Sequence, residues 1–160
     1  MNTFIVEMSK LTLAGVSIRT SNADEAGPSR KLPQLWGTYF SSGVAAKPYN
    51  VNPHFIYGLY TDYESDASGA YTTLIGHEVG EGTAEQEIDG TIAIVPESKY
   101  LVFTTKKGPV QEVVAEMWGV IWAYFKDAVE VRAFTGDFER YDGRNFDPAN
   151  TEVEIYIAIK

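Results

Sequence analysis

Asp137-Phe138-Glu139-Arg140-Tyr141, together with the run Glu152-Val153-Glu154-Ile155-Tyr156-Ile157 that follows it, decides how this chain is read. Apolar and charged residues alternate here with the period of a β-strand, which sends successive side chains to opposite faces. With Phe138 directed into a core, Glu139 and Tyr141 share the other face. A carboxylate beside an aromatic ring, on a face shielded from water, is a receptor for an organic cation. On an exposed strand edge the same residues are ordinary solvated charges, and acidic residues are seldom buried. These five residues alone leave both readings open.

Working outward, strands are predicted near Val131 to Tyr141 and Thr151 to Ile159, preceded by a helix that Lys107-Gly108-Pro109 introduces and that runs to about Lys126. Ahead of the helix, Thr91 to Thr105 reads as a strand pair or one long bent strand, interrupted around Pro96-Glu97-Ser98. The N-terminal half has the same order. A strand from Phe4 to Thr20, broken near Gly15, is followed by Leu32, Leu35, Trp36, Tyr39 and Phe40 at helical spacing, ending near Gly43. Pro33 suits the first turn of that helix. Two strands follow, roughly His54 to Tyr63 and Tyr71 to Val79. The pattern is β-α-β-β written twice (1–80 and 90–160), with Glu81 to Asp89 as an acidic linker. The fold class expected is therefore α+β, in one domain spanning 1–160.

The second helix carries two adjacent stripes: Val110, Val114, Met117 and Ile121, then Trp118, Trp122 and Phe125. This arc is wider than one sheet face requires. Either the helix is sandwiched in the core, or part of the arc lines a cavity.

Composition narrows the functions further. A formal net charge of -9 with no basic stripe argues against nucleic-acid binding, which draws its affinity from neutralising phosphates, and favours cationic partners. Without cysteine there is neither a disulfide framework nor a thiolate metal site. No apolar run reaches membrane-spanning length and the N-terminus lacks a signal-peptide layout, so a cytoplasmic protein without membrane contact is expected. His54 and His77 have no partners at zinc-site spacing. Asp62, Glu64, Asp66 and Ser68 alternate like a calcium loop, but Ala67 replaces its glycine and Thr73 its bidentate glutamate, leaving a solvated hairpin turn. There is no phosphate-binding glycine loop, no thiol and no serine elbow. No cofactor and no metal are expected.

The ordered set of Leu13-Ala14-Gly15-Val16, the Trp36 helix, Lys107-Gly108-Pro109, the Trp118 helix, Phe138-Glu139-Arg140-Tyr141 and the closing Glu154-Ile155-Tyr156 strand resembles the GyrI-like domain. That domain is the effector-binding module attached to many AraC-type and MerR-type regulators. The resemblance covers essentially the whole chain. It implies a duplicated β-α-β-β fold, with a curved antiparallel sheet, two main helices and a central ligand cleft between the pseudo-symmetric halves. It also implies a small-molecule ligand, a lipophilic organic cation bound without chemical change. Glu139 would supply the charge, with Tyr141, Tyr156, Trp36 and Trp118 as aromatic walls and Tyr39, Tyr57 and Trp122 as further candidates. With all 160 residues in the domain, no helix-turn-helix is left, so any role in transcription would run through a separate regulator. Two other functions are compatible with the resemblance: an acidic modulator of a gyrase-like protein, and a small-molecule hydrolase using Glu139 and Glu154.

Overall fold

The computed structural model describes residues 3–144 and 146–160. Its strands are β1 (Thr3–Met8), β2 (Leu11–Ser21), β3 (Phe55–Thr61), β4 (Ala70–Glu78), β5 (Thr91–Val95), β6 (Ser98–Thr104), β7 (Asp137–Asp142) and β8 (Glu154–Ile159). The helices are a short α1 (Asn22–Glu25), then α2 (Leu32–Ser42) and α3 (Val110–Asp127). All eight strands form one antiparallel sheet in the order β1-β6-β8-β7-β3-β4-β2-β5. Replacing β1 to β4 by β5 to β8 reverses that order onto itself, so the two halves are related by a pseudo-twofold between β7 and β3. Each half lends its first strand to the other: β1 pairs with β6, and β5 pairs with β2.

Both faces of the sheet are buried, by different means. On one face α3 packs on Leu101, Phe103, Ile155 and Ile157, and α2 packs on Val16, Ile18 and Ile75. Among the described residues no helix covers the other face, yet Leu13, Leu59, Leu74, Val102 and Phe138, from β2, β3, β4, β6 and β7, are fully buried in one cluster there. Only a sheet curled upon itself buries that face, because apolar side chains left in water forfeit about 25 cal/mol per Å². Close approach of strands helps the curl. Gly15 and Gly76 face each other across β2 and β4, and a Cβ on either would lie 2.0 Å from a carbonyl oxygen of the opposite strand.

Two boundaries differ from the sequence-based expectation. The N-terminal strand breaks at Ser9-Lys10, not at Gly15, which continues β2 and serves as the contact point just described. The strand expected from Val131 begins at Asp137, because Phe134 (φ 55) and Gly136 (φ 149) turn the backbone away from extended geometry. The helix ends follow local chemistry. Pro33 lies in the first turn of α2, and Gly43 closes it in the left-handed conformation (φ 75). The Glu25 carboxylate accepts the backbone N–H groups of Lys31 and Leu32 at 3.0 and 3.1 Å, neutralising orphan donors at the positive end of α2. Among the described residues no helix is long and apolar enough to cross a membrane.

Candidate functional site: a carboxylate in an aromatic cavity

The two long helices stand apart over the central strands, leaving a cavity of about 1070 Å³. Trp36 and Phe40 of α2 form one wall; Val114, Trp118 and Trp122 of α3 form the other; Ile56, Tyr60, Glu139 and Tyr141 make the floor. Strand register sets that floor. Gly58 lies opposite Glu139, Ile56 opposite Tyr141 and Tyr60 opposite Asp137, so alternate residues of β3 and β7 face the helices together. A Cβ at Gly58 would come to 3.4 Å from the Glu139 Oε1, so glycine leaves the carboxylate room to lie flat on the sheet.

Glu139 is only 4 % exposed. Its Oε2 accepts the Trp118 indole N–H at 2.7 Å and the Tyr60 hydroxyl at 2.8 Å, while Oε1 accepts the Tyr141 hydroxyl at 2.5 Å. None of the ion pairs among the described residues includes it. Burial pushes its pKa above the usual carboxylate value, against the opposing pull of the bonds from Tyr141, Trp118 and Tyr60. The same burial, with the carboxylate alongside, holds the Tyr60 and Tyr141 hydroxyls well above the ordinary phenol range, so both remain donors. The walls are aromatic edges and faces: Trp36 meets Tyr141 edge-on at 5.3 Å, Trp118 meets Tyr60 at 5.3 Å, and Trp122 lies 6.1 Å from Trp118.

Glu139, Tyr141, Trp36, Trp118 and Trp122 thus converge on one cavity, and α3 uses its wide apolar arc both to pack on β6 and β8 and to line that space. Three expected residues lie elsewhere. Tyr156 pairs in register with Phe138 and stacks on it at 4.6 Å, on the self-packed face. Tyr57 belongs to the same cluster, because it pairs with Arg140 and not with Glu139. Tyr39 turns beneath α2 to His77, its hydroxyl 2.6 Å from the imidazole Nε2, with burial pushing its pKa up to about 12. Glu154 is also on the far face, bound to Arg140 at 2.7 Å, so it shares no bond-breaking site with Glu139. Tyr60, Tyr63, Tyr71 and Arg132 line the cavity and were missed. Strand parity could have found Tyr60, which lies two residues beyond the only glycine of its strand.

Comparison with known proteins agrees with this architecture. A family model for integron-associated effector binding proteins matches residues 4–159. YobU of Bacillus subtilis (strain 168), named as a candidate transcriptional regulator, is 38% identical over 153 residues, covering 92% of this chain and 91% of YobU. An integron cassette protein from the mobile metagenome of Vibrio cholerae superposes with a TM-score of 0.76 at 32% identity, over 99% of this chain and 95% of that one. SAV2435, solved with tetraphenylphosphonium bound, gives a TM-score of 0.79 at 22% identity, over 100% of this chain and 94% of the other. With its duplicated fold and its helix-walled cavity, the chain belongs to the integron-associated effector-binding protein family, of the GyrI-like fold.

Proposed function

We propose that this protein binds lipophilic organic cations in the aromatic cavity, as an effector sensor or a sequestering protein, without altering them chemically. The observation that carries this reading is the Glu139 carboxylate, buried on the cavity floor with no basic partner among the described residues. Taking such a charge out of water costs several kcal/mol, and neutral donors offset only part of it, as the raised pKa implies. A cation restores the balance. Ring faces around it add about 0.5–2 kcal/mol per favourable contact. Neither a point charge nor a ring demands one scaffold, which suits breadth of recognition.

Supporting this, SAV2435 shares the fold and holds the lipophilic cation tetraphenylphosphonium. The placement of the acid also favours ligand capture over a protein decoy, which would need its charge spread on an outer face. Glu139, Tyr141, Trp36, Trp118 and Trp122 are the proposed ligand contacts, joined by Tyr60.

The test is a tetraphenylphosphonium titration followed by tryptophan fluorescence, with Glu139→Gln in parallel. Removing one partner of a buried charge pair costs about 2–5 kcal/mol, so the variant should bind at least about 30-fold more weakly. Equal affinity in the two proteins would make this reading wrong. Binding by neither would turn attention to the acidic surface and a protein partner, such as a separate regulator or a gyrase-like protein.

A further inference from the structure

Arg132 lines the same cavity, and its chemistry is opposite to that of Glu139. It is 8 % exposed, and its Nη2 donates to Asp137 Oδ2 at 2.7 Å. Asp137 has other donors besides this arginine. The Tyr63 hydroxyl also donates to its Oδ2, and the backbone N–H of Ala158 reaches Oδ1 at 2.8 Å. The guanidinium is not saturated. Of its five N–H donors, the Nη2 bond is the one engaged among the described residues, and Nε is buried with no partner. The guanidinium carbon lies over the Phe134 ring, 4.4 Å from its centroid. Arginine–carboxylate pairs are frequently two-bonded; this one contributes a single bond to Asp137 and leaves donors unmet.

Nε is enclosed and out of a ligand's reach, but the free Nη donors of an arginine that lines an apolar cavity favour a ligand that brings an acceptor. Asp137 and Glu139 are two residues apart on one face of β7, roughly 7 Å along the strand. Tyr60, Tyr71 and Tyr63 bridge the two ends, with centroids 5.5 and 6.0 Å apart. Arg30, exposed where it lines the cavity, adds a second positive charge. Resting on the cation reading above, we propose that Arg132 is an anion-recognising subsite, and that the preferred ligands are zwitterionic amphiphiles. These carry a carboxylate about 7–10 Å from the cationic centre, which lies over Glu139.

Rhodamine B and its ethyl ester make a matched pair, since both carry the same xanthylium cation and only the first has a free carboxylate. Their affinities at neutral pH would be measured by fluorescence anisotropy for the unmodified protein and for Arg132→Lys, which keeps the charge beside Asp137 but loses the fork. The acid-to-ester affinity ratio is expected to fall about tenfold in Arg132→Lys, while the affinity for the ester changes less than twofold. Should that variant fold poorly, Arg132→Gln with Asp137→Asn removes both charges together and is expected to lower the ratio likewise. An unchanged ratio in a folded variant, or an ester bound more than tenfold tighter than the acid by the unmodified protein, overturns the subsite and leaves the cation reading standing. Binding of neither dye, nor of tetraphenylphosphonium, overturns the cation reading and the subsite with it.

Discussion

Trp118 reaches from α3 to β7 and donates its indole N–H to the Glu139 carboxylate at 2.7 Å. A wall residue of the cavity is thereby bonded to the charge on its floor. Hydrogen bonds to charged groups contribute about 1.5–3 kcal/mol, and this one stabilises the ionised form of Glu139. Trp118→Phe keeps an aromatic wall and deletes the donor. The midpoint for cation binding against pH is expected to rise by about one unit, with little change in the high-pH plateau. A midpoint that does not move would mean that the indole bond is incidental to the charge.

The raised pKa of Glu139 sets the direction of the pH dependence in the unmodified protein. A cation favours the ionised carboxylate, so affinity should be weak at low pH, rise through the raised pKa and level off above it. The stability of the empty protein runs the other way. Because the folded pKa lies above the unfolded one, the contribution of this group is fully present below the ordinary carboxylate value and is lost as pH rises through the folded value. Glu139→Gln is therefore expected to be at least as stable as the unmodified protein at neutral pH, while showing a much smaller rise in Tm at the same tetraphenylphosphonium concentration. Thermal unfolding from pH 4 to 8, with and without the cation, reads both effects; a Gln variant less stable at neutral pH would show that the carboxylate supports the fold.

The fold was legible because its elements declare themselves locally. Helical spacing marks Leu32, Leu35, Trp36 and Tyr39, and β8 reads as Ile155, Ile157 and Ile159 alternating with Tyr156 and Ala158. For the cavity, the Phe138, Glu139 and Tyr141 alternation was the legible part. What could not be read was the pairing register between distant strands. A one-residue slip moves every side chain to the opposite face. Tyr57 and Tyr156 are separated from the cavity by that parity alone, and Tyr60 is brought into it by the same parity. Arg132 was hidden for another reason: it lies in an irregular segment, where periodicity says nothing about direction.

Tyr39 tests the division between core and cavity. Its hydroxyl meets His77, which is buried and whose pKa burial lowers. Tyr39→Phe leaves the imidazole nitrogen without that partner and should cost about 1–3 kcal/mol in denaturant unfolding. Cation affinity should stay within a factor of two. A large loss of affinity with unchanged stability would return Tyr39 to the binding site.

Gly58 tests whether the carboxylate must lie flat on the sheet. It is buried opposite Glu139, and an added Cβ would already touch Oε1 at 3.4 Å, so any larger branch presses on it. Valine suits a β-strand, so Gly58→Val favours the strand while its branch presses on the carboxylate. Overpacking costs about 1–3 kcal/mol, and the softest escape is rotation of the Glu139 side chain away from Tyr141 and Trp118. The expected result is a folded protein, with far-ultraviolet circular dichroism unchanged and tetraphenylphosphonium affinity reduced more than tenfold. Affinity retained in a folded Gly58→Val would mean that the cation is held by the aromatic walls alone.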